Sequence, residues 1–158
     1  MDIYLAPFSI GRHGVSQAPH TLLGIRNGET YFHNRIAEIP IHHHDAVETS
    51  EMISHCLHGK SNYLVLGGDH SITAGIVKAR SPVHLIMFDA HSDDYDDKHM
   101  SNYPLHHGNW LKYVTDKGLV TGITWYNYRK QKMESTLEGR SIPKSGNVHI
   151  SVDVDVLK

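Results

Sequence analysis

Three times in this chain a short apolar run ends in a knot of acids and histidines. Tyr63–Leu66 runs into Gly67-Gly68-Asp69-His70-Ser71. Val83–Phe88 runs into Asp89-Ala90-His91-Ser92-Asp93. Val148–Val152 runs into Asp153-Val154-Asp155. Apolar runs of this length, set between helix-like segments, predict βα units and a parallel sheet. In open parallel sheets ligands bind in the crevice beyond the carboxyl ends of the strands. All three knots lie at such ends, so three distant segments are expected to converge on one site. Asp89, His91 and Asp93 are two apart, as are Asp153 and Asp155, so in extended chain each set projects to one side.

The rest of the chain fits the same plan. Ile3–Phe8 predicts a first strand, and a turn-rich stretch follows from Ser9 to Pro19. Asp45 is placed to N-cap a helix over Ala46–His58, with Glu48 three residues on and Gly59 past its end. Ser71 predicts the cap of a helix over Ile72–Ala79. His107–Lys117 has Trp110, Leu111 and Val114 at helical spacing and Gly118 as a stop. Leu119–Trp125 predicts another strand and Val148–Leu157 a last one; residues 127–146 carry no clear period. With 158 residues and no linker or repeat, residues 1–158 are expected to form a single domain.

Charge decides what the knots are for. Asp89, Asp93, Asp153 and Asp155 crowded at two strand ends repel one another. Either some are protonated or cations neutralise them. Carboxylates mixed with imidazoles suit manganese, and also iron, cobalt or zinc; no thiolate joins the set. Six ligands exceed what one open catalytic ion needs. They suit two ions about 3.5–4 Å apart that share carboxylates.

Composition removes other classes. The net charge of −2 offers no basic footprint for nucleic acid or an anionic membrane. No apolar run approaches the roughly 20 residues of a membrane span. The start has no basic n-region, and the lone Cys56 can form no internal disulfide, so a cytoplasmic setting is expected. Fifteen histidines equal in number the Lys and Arg combined. His42-His43-His44 precedes a helix, away from any strand end, and reads as a solvated loop. Cys56 reads as core, and Trp125, Tyr126 and Tyr128 as packing.

In their order these knots resemble the signatures of the ureohydrolases, the family of arginase and agmatinase. Ala6-Pro7-Phe8-Ser9, Gly14-Val15 and Ala18-Pro19 with Leu22 resemble that family's N-terminal segment. The resemblance implies a three-layer α/β/α sandwich around a mainly parallel sheet. It implies two Mn²⁺ ions per chain. His70, Asp89, Asp93 and Asp153 would hold one; Asp89, His91, Asp153 and Asp155 would hold the other. His107-Gly108 matches the pair whose histidine relays protons, with His106 the weaker candidate. The implied reaction is hydrolysis of a guanidino group to urea and a primary amine. Family members are often trimers or hexamers, so the resemblance implies a homo-oligomer.

Three departures refine this. The family's third signature continues into a further third of the domain, with a glutamate that grips the guanidinium. No residue here matches it, so the domain is expected to be incomplete at its C-terminus. Sixty residues separate Asp93 from Asp153, fewer than in arginases. Where arginases carry an asparagine that reads a free α-carboxylate, this chain has Tyr95 within Asp93-Asp94-Tyr95-Asp96-Asp97. Acids there would repel a carboxylate and attract a cation, unless they form only a solvated loop. Two substrates fit: agmatine, or arginine within a peptide, a peptide modification that yields ornithine. The short spacing favours the peptide. Two other readings share these residues: a metal-binding relative without turnover, and a single-zinc deacetylase with Asp89-x-His91.

Overall fold

In a computed structural model, residues 1–10, 15–23, 35–96, 103–127, 132–135 and 146–157 are described. Strand β1 (Asp2–Ala6) lies parallel between β2 (Ile36–Glu38) and β3 (Tyr63–Gly67). Strand β4 (Val83–Phe88) lies parallel between β5 (Val120–Asn127) and β7 (Asn147–Val152), and β6 (Lys132–Ser135) runs antiparallel along β5. The fold is thus α/β and mainly parallel, as the sequence pattern predicts.

Helix α2 (Ala46–Leu57) begins where its cap requires: the Glu48 amide donates to Asp45 Oδ1 at 2.9 Å. Helix α3 (Ile72–Arg80) follows β3, and α4 (Trp110–Asp116) precedes β5. One core cluster runs through both sheets, from Tyr4 and Ala6 of β1 to Leu85 and Met87 of β4 and Ile123 of β5. Ile53 of α2, Val77 of α3 and Trp110 of α4 close it.

Several expectations need correction. Within Ser9–Pro19, read as turns, a 3₁₀ turn (Val15–Gln17) leads into helix α1 (Ala18–Leu22), with Pro19 in its first turn where a missing N–H costs nothing. Strand β2 has only three residues, too few to show a period. Ser71 does not cap α3; its Oγ–H donates to Asp69 Oδ1 instead, at 2.7 Å. The last strand stops at Val152, and Val154–Leu157 is a 3₁₀ turn. Val148 and Ile150 point away from the site face, with Ile150 59% exposed, whereas Ser151 is buried. That strand is two-faced rather than wholly buried.

Candidate metal centre

The first knot is built on a close backbone approach. The Asp69 amide donates to Phe8 O at 2.9 Å, and the Gly68 amide to Ala6 O at 3.3 Å. A Cβ on Gly68 would stand 2.3 Å from Phe8 O and 2.7 Å from Val15 O, so only glycine lets the N-terminal segment floor the site. The second knot leaves β4 with the Asp89 amide bonded to Tyr126 O. The third leaves β7 with the Asp153 amide bonded to Phe88 O at 2.9 Å. The parallel register of β4 and β7, Phe88 opposite Val152, brings the two acid sets side by side.

All six candidate ligands converge. His70 Nδ1 lies 2.9 Å from Asp93 Oδ2, 3.1 Å from Asp89 Oδ2 and 3.4 Å from Asp153 Oδ2. His91 Nδ1 lies 2.9 Å from Asp155 Oδ2 and 3.8 Å from Asp89 Oδ1. The donor atoms form two compact groups, His70–Asp89–Asp93 and Asp89–His91–Asp155, which share Asp89. Asp153 borders the first through His70, and its Oδ1 accepts the Asp155 amide at 2.9 Å.

The short approaches around His70 are not aligned as hydrogen bonds. Nδ1 of His70 and Oδ2 of Asp89 are buried with no hydrogen-bond partner among the described residues. Orphaned lone pairs aimed at one point are what a cation would satisfy. The other ring nitrogen, Nε2, sits 2.9 Å from Ser151 Oγ. If Nε2–H donates there, the Nδ1 lone pair is left for a metal. A nitrogen–oxygen set of this kind fits a divalent transition ion. Burial opposes charge on His70, but the carboxylates of Asp89 and Asp93 outweigh it and push its pKa up to about 10. Burial raises Asp153, although the Asp155 amide and His70 oppose it. His149, two positions before Ser151, is lowered to about 4 by burial and by the charges of His70 and Arg80.

The arginase-family profile matches residues 2–126 of this chain, a span that holds the first two knots whole. The chain belongs to the arginase family. Mitochondrial arginase 1 of Oryza sativa subsp. indica is 32% identical over 123 residues, which cover 60% of this chain and 35% of that protein. The chain therefore matches about a third of that relative's length. Proclavaminate amidino hydrolase of Streptomyces clavuligerus superposes with a TM-score of 0.57 at 25% identity, covering 75% of this chain and 48% of the other. Formimidoylglutamase of Bacillus subtilis superposes with a TM-score of 0.61 at 19% identity, covering 94% and 54%, and shares the fold.

Around the centre of this arginase-family chain, His107 stands in the turn before α4, its Nδ1 3.8 Å from Asp69 Oδ2. His106 is buried; its Nδ1 accepts the Gly108 amide at 3.1 Å, which makes it a turn residue. Tyr95 is exposed, and its amide donates to Gly108 O at 3.1 Å, so the acidic run borders the His107 turn. Asp94 and Asp96 are also exposed. Asp97, Tyr128 and Gly14 lie outside the described residues. His42-His43-His44 is a largely exposed turn away from the centre, as expected. Cys56 is partly buried against the core.

Sequence reasoning missed the hydrogen-bond partners of the candidate-ligand segments. Trp110 Nε1–H donates to Asp93 Oδ2 at 2.8 Å, and Trp125 Nε1–H to the Asp89 carbonyl at 2.9 Å. Asn127 holds the Ala90 carbonyl at 3.1 Å. Buried indoles need acceptors, and that requirement was the available signal. No helix among the described residues is long and apolar enough to cross a membrane.

Proposed function

We propose that this protein is a metal-dependent hydrolase that converts a guanidino group to urea and a primary amine, using a pair of Mn²⁺ ions. The observation that carries the reading is the convergence of His70, Asp89 and Asp93 with Asp89, His91 and Asp155, two groups sharing one carboxylate, with Asp153 beside His70 and His107 beside Asp69. His70, Asp89, Asp93 and Asp153 would hold one ion, and Asp89, His91, Asp153 and Asp155 the other. When bound, such ions lower the pKa of water and polarise the substrate. Water adds to the guanidino carbon, the bond to the side-chain nitrogen breaks, and urea leaves with the amine. The four carboxylates place negative charge where the guanidinium cation must sit. With Nδ1 turned to Asp69, the Nε2 of His107 is the nitrogen left to pass a proton to the departing amine.

The rim supports a reading of the substrate's head group. Asp94, Tyr95 and Asp96 are exposed beside the His107 turn and disfavour a free α-carboxylate. Peptidyl arginine, converted to ornithine in the chain, is the substrate proposed, with Tyr95 in contact with it. Urea release from the full-length protein loaded with Mn²⁺ tests this, with free arginine, agmatine and an arginine-containing peptide offered separately. The peptide should turn over best. Agmatine as the best substrate would transfer the activity to a small amine, and free arginine would overturn the head-group argument. Metal uptake without urea from any of the three would overturn turnover itself. The remaining proposals, a cytoplasmic homo-oligomer that binds neither nucleic acid nor membrane, are tested by light scattering and cell fractionation.

A further inference from the structure

Both tryptophans of this chain donate to the acids of the centre, but only one reaches a carboxylate. Trp110 is fully buried. Its indole N–H meets Asp93 Oδ2 at 2.8 Å, and its ring lies 4.8 Å from that of His70. Asp93 itself adopts a left-handed backbone, φ +49°, which a non-glycine residue holds only under constraint from its surroundings. The constraint is visible: the Leu111 amide donates to the Asp93 carbonyl at 3.0 Å, next to the indole on its side chain. Adjacent residues of one helix thus grip both ends of Asp93, and one of them packs on His70 as well. Trp125 differs. It is buried, but its N–H meets a main-chain carbonyl and leaves both oxygens of Asp89 untouched.

We propose that Trp110 is a positioning residue that aims the Asp93 carboxylate and the His70 ring at one ion, and so sets the affinity of that ion alone. Hydrogen bonds to ligating carboxylates hold them in place, and their loss typically costs about 10- to 100-fold in metal affinity. The inference rests on the metal-centre reading above, and the test separates the two. The metal-free full-length protein is titrated with Mn²⁺, and unbound ion is followed by electron paramagnetic resonance. Trp110→Phe keeps an aromatic ring and removes the N–H. It should weaken one of two bound ions by about 10- to 100-fold and leave the other within about threefold. Trp125→Phe, a buried control, should leave both ions within about threefold.

In the Trp125→Phe protein, Mn²⁺ should quench the fluorescence component that Trp110→Phe removes, along the binding curve of the ion that Trp110→Phe weakens. Wild-type affinity for both ions in Trp110→Phe would overturn the proposal, as would equal weakening of both. Should Trp110→Phe not fold, 3-benzothienylalanine at position 110, with sulfur in place of N–H, is read by the same criteria. A wild-type protein that binds no Mn²⁺ would overturn the metal-centre reading instead.

Discussion

Asp89 is the side chain shared by the two compact groups of candidate donor atoms among the described residues, and it is fully buried. Asp89→Asn keeps its shape but halves its donor capacity for cations. It should lower the affinity for both ions by about 100-fold or more, since even outer-shell changes cost up to that much. Asp93→Asn and Asp155→Asn should each act mainly on one ion, and isothermal titration with Mn²⁺ distinguishes these patterns. These candidate ligands were legible in the sequence because strand periodicity and charge repulsion are local properties. Trp110 and Ser151 were not, because a hydrogen bond between residues 17 or 81 positions apart leaves no mark on spacing.

Titration gives a second expectation at this scale. The folded pKa of His70 lies above the ordinary value of 6.5, so protonated His70 stabilises the metal-free fold fully below 6.5, and that stability is lost as pH rises toward about 10. The folded pKa of His149 lies below 6.5, so its neutral form stabilises the fold above 6.5, and that stability is lost as pH falls toward about 4. Urea denaturation of the metal-free protein across pH 4–10 should show both limbs, and His149→Gln should flatten the acidic one. An unchanged acidic limb in that variant would rule His149 out as its source.

Elements long enough to carry a pattern were readable: α2 has a capping aspartate, and β4 is an apolar run interrupted only by His84. β2 and α1, with three and five residues, were not, because their neighbours rather than their own periodicity hold them in place. The contact of α2 with α3 supplies a prediction. A Cβ on Gly75 of α3 would stand 2.5 Å from Ser50 O and 2.9 Å from Ile53 Cβ on α2. Alanine gains about 1 kcal/mol over glycine in helix propensity. Backbone that cannot swing aside opposes this, and overpacking costs about 1–3 kcal/mol, sometimes more. Because the clash is with main chain, the cost should win: Gly75→Ala lowers the melting temperature in a thermal scan. Gly68→Ala, against two carbonyl oxygens, should lower it further and weaken Mn²⁺ binding as well. A Gly75→Ala protein as stable as wild type would mean that the two helices can separate cheaply.

At the scale of the whole molecule, the candidate ligands come from both sheets. His70 follows β3 of the three-stranded sheet. The remaining five follow β4 and β7 of the four-stranded one. An ion at His70, Asp89 and Asp93 would therefore join the two sheets above their shared core, and unfolding either would release it. Binding to the folded state alone stabilises by about 2.7 kcal/mol at a free ion concentration 100 times Kd. For a chain of this size that corresponds to a melting shift of about 5–10 °C. The shift should reverse with a chelator and shrink in His70→Ala, which cuts the link to the first sheet. Amide exchange should slow in β3 and α3 as well as in β4 and β7. Protection confined to β4 and β7 would mean that the metal sits within one sheet, and the two-sheet centre would then be wrong.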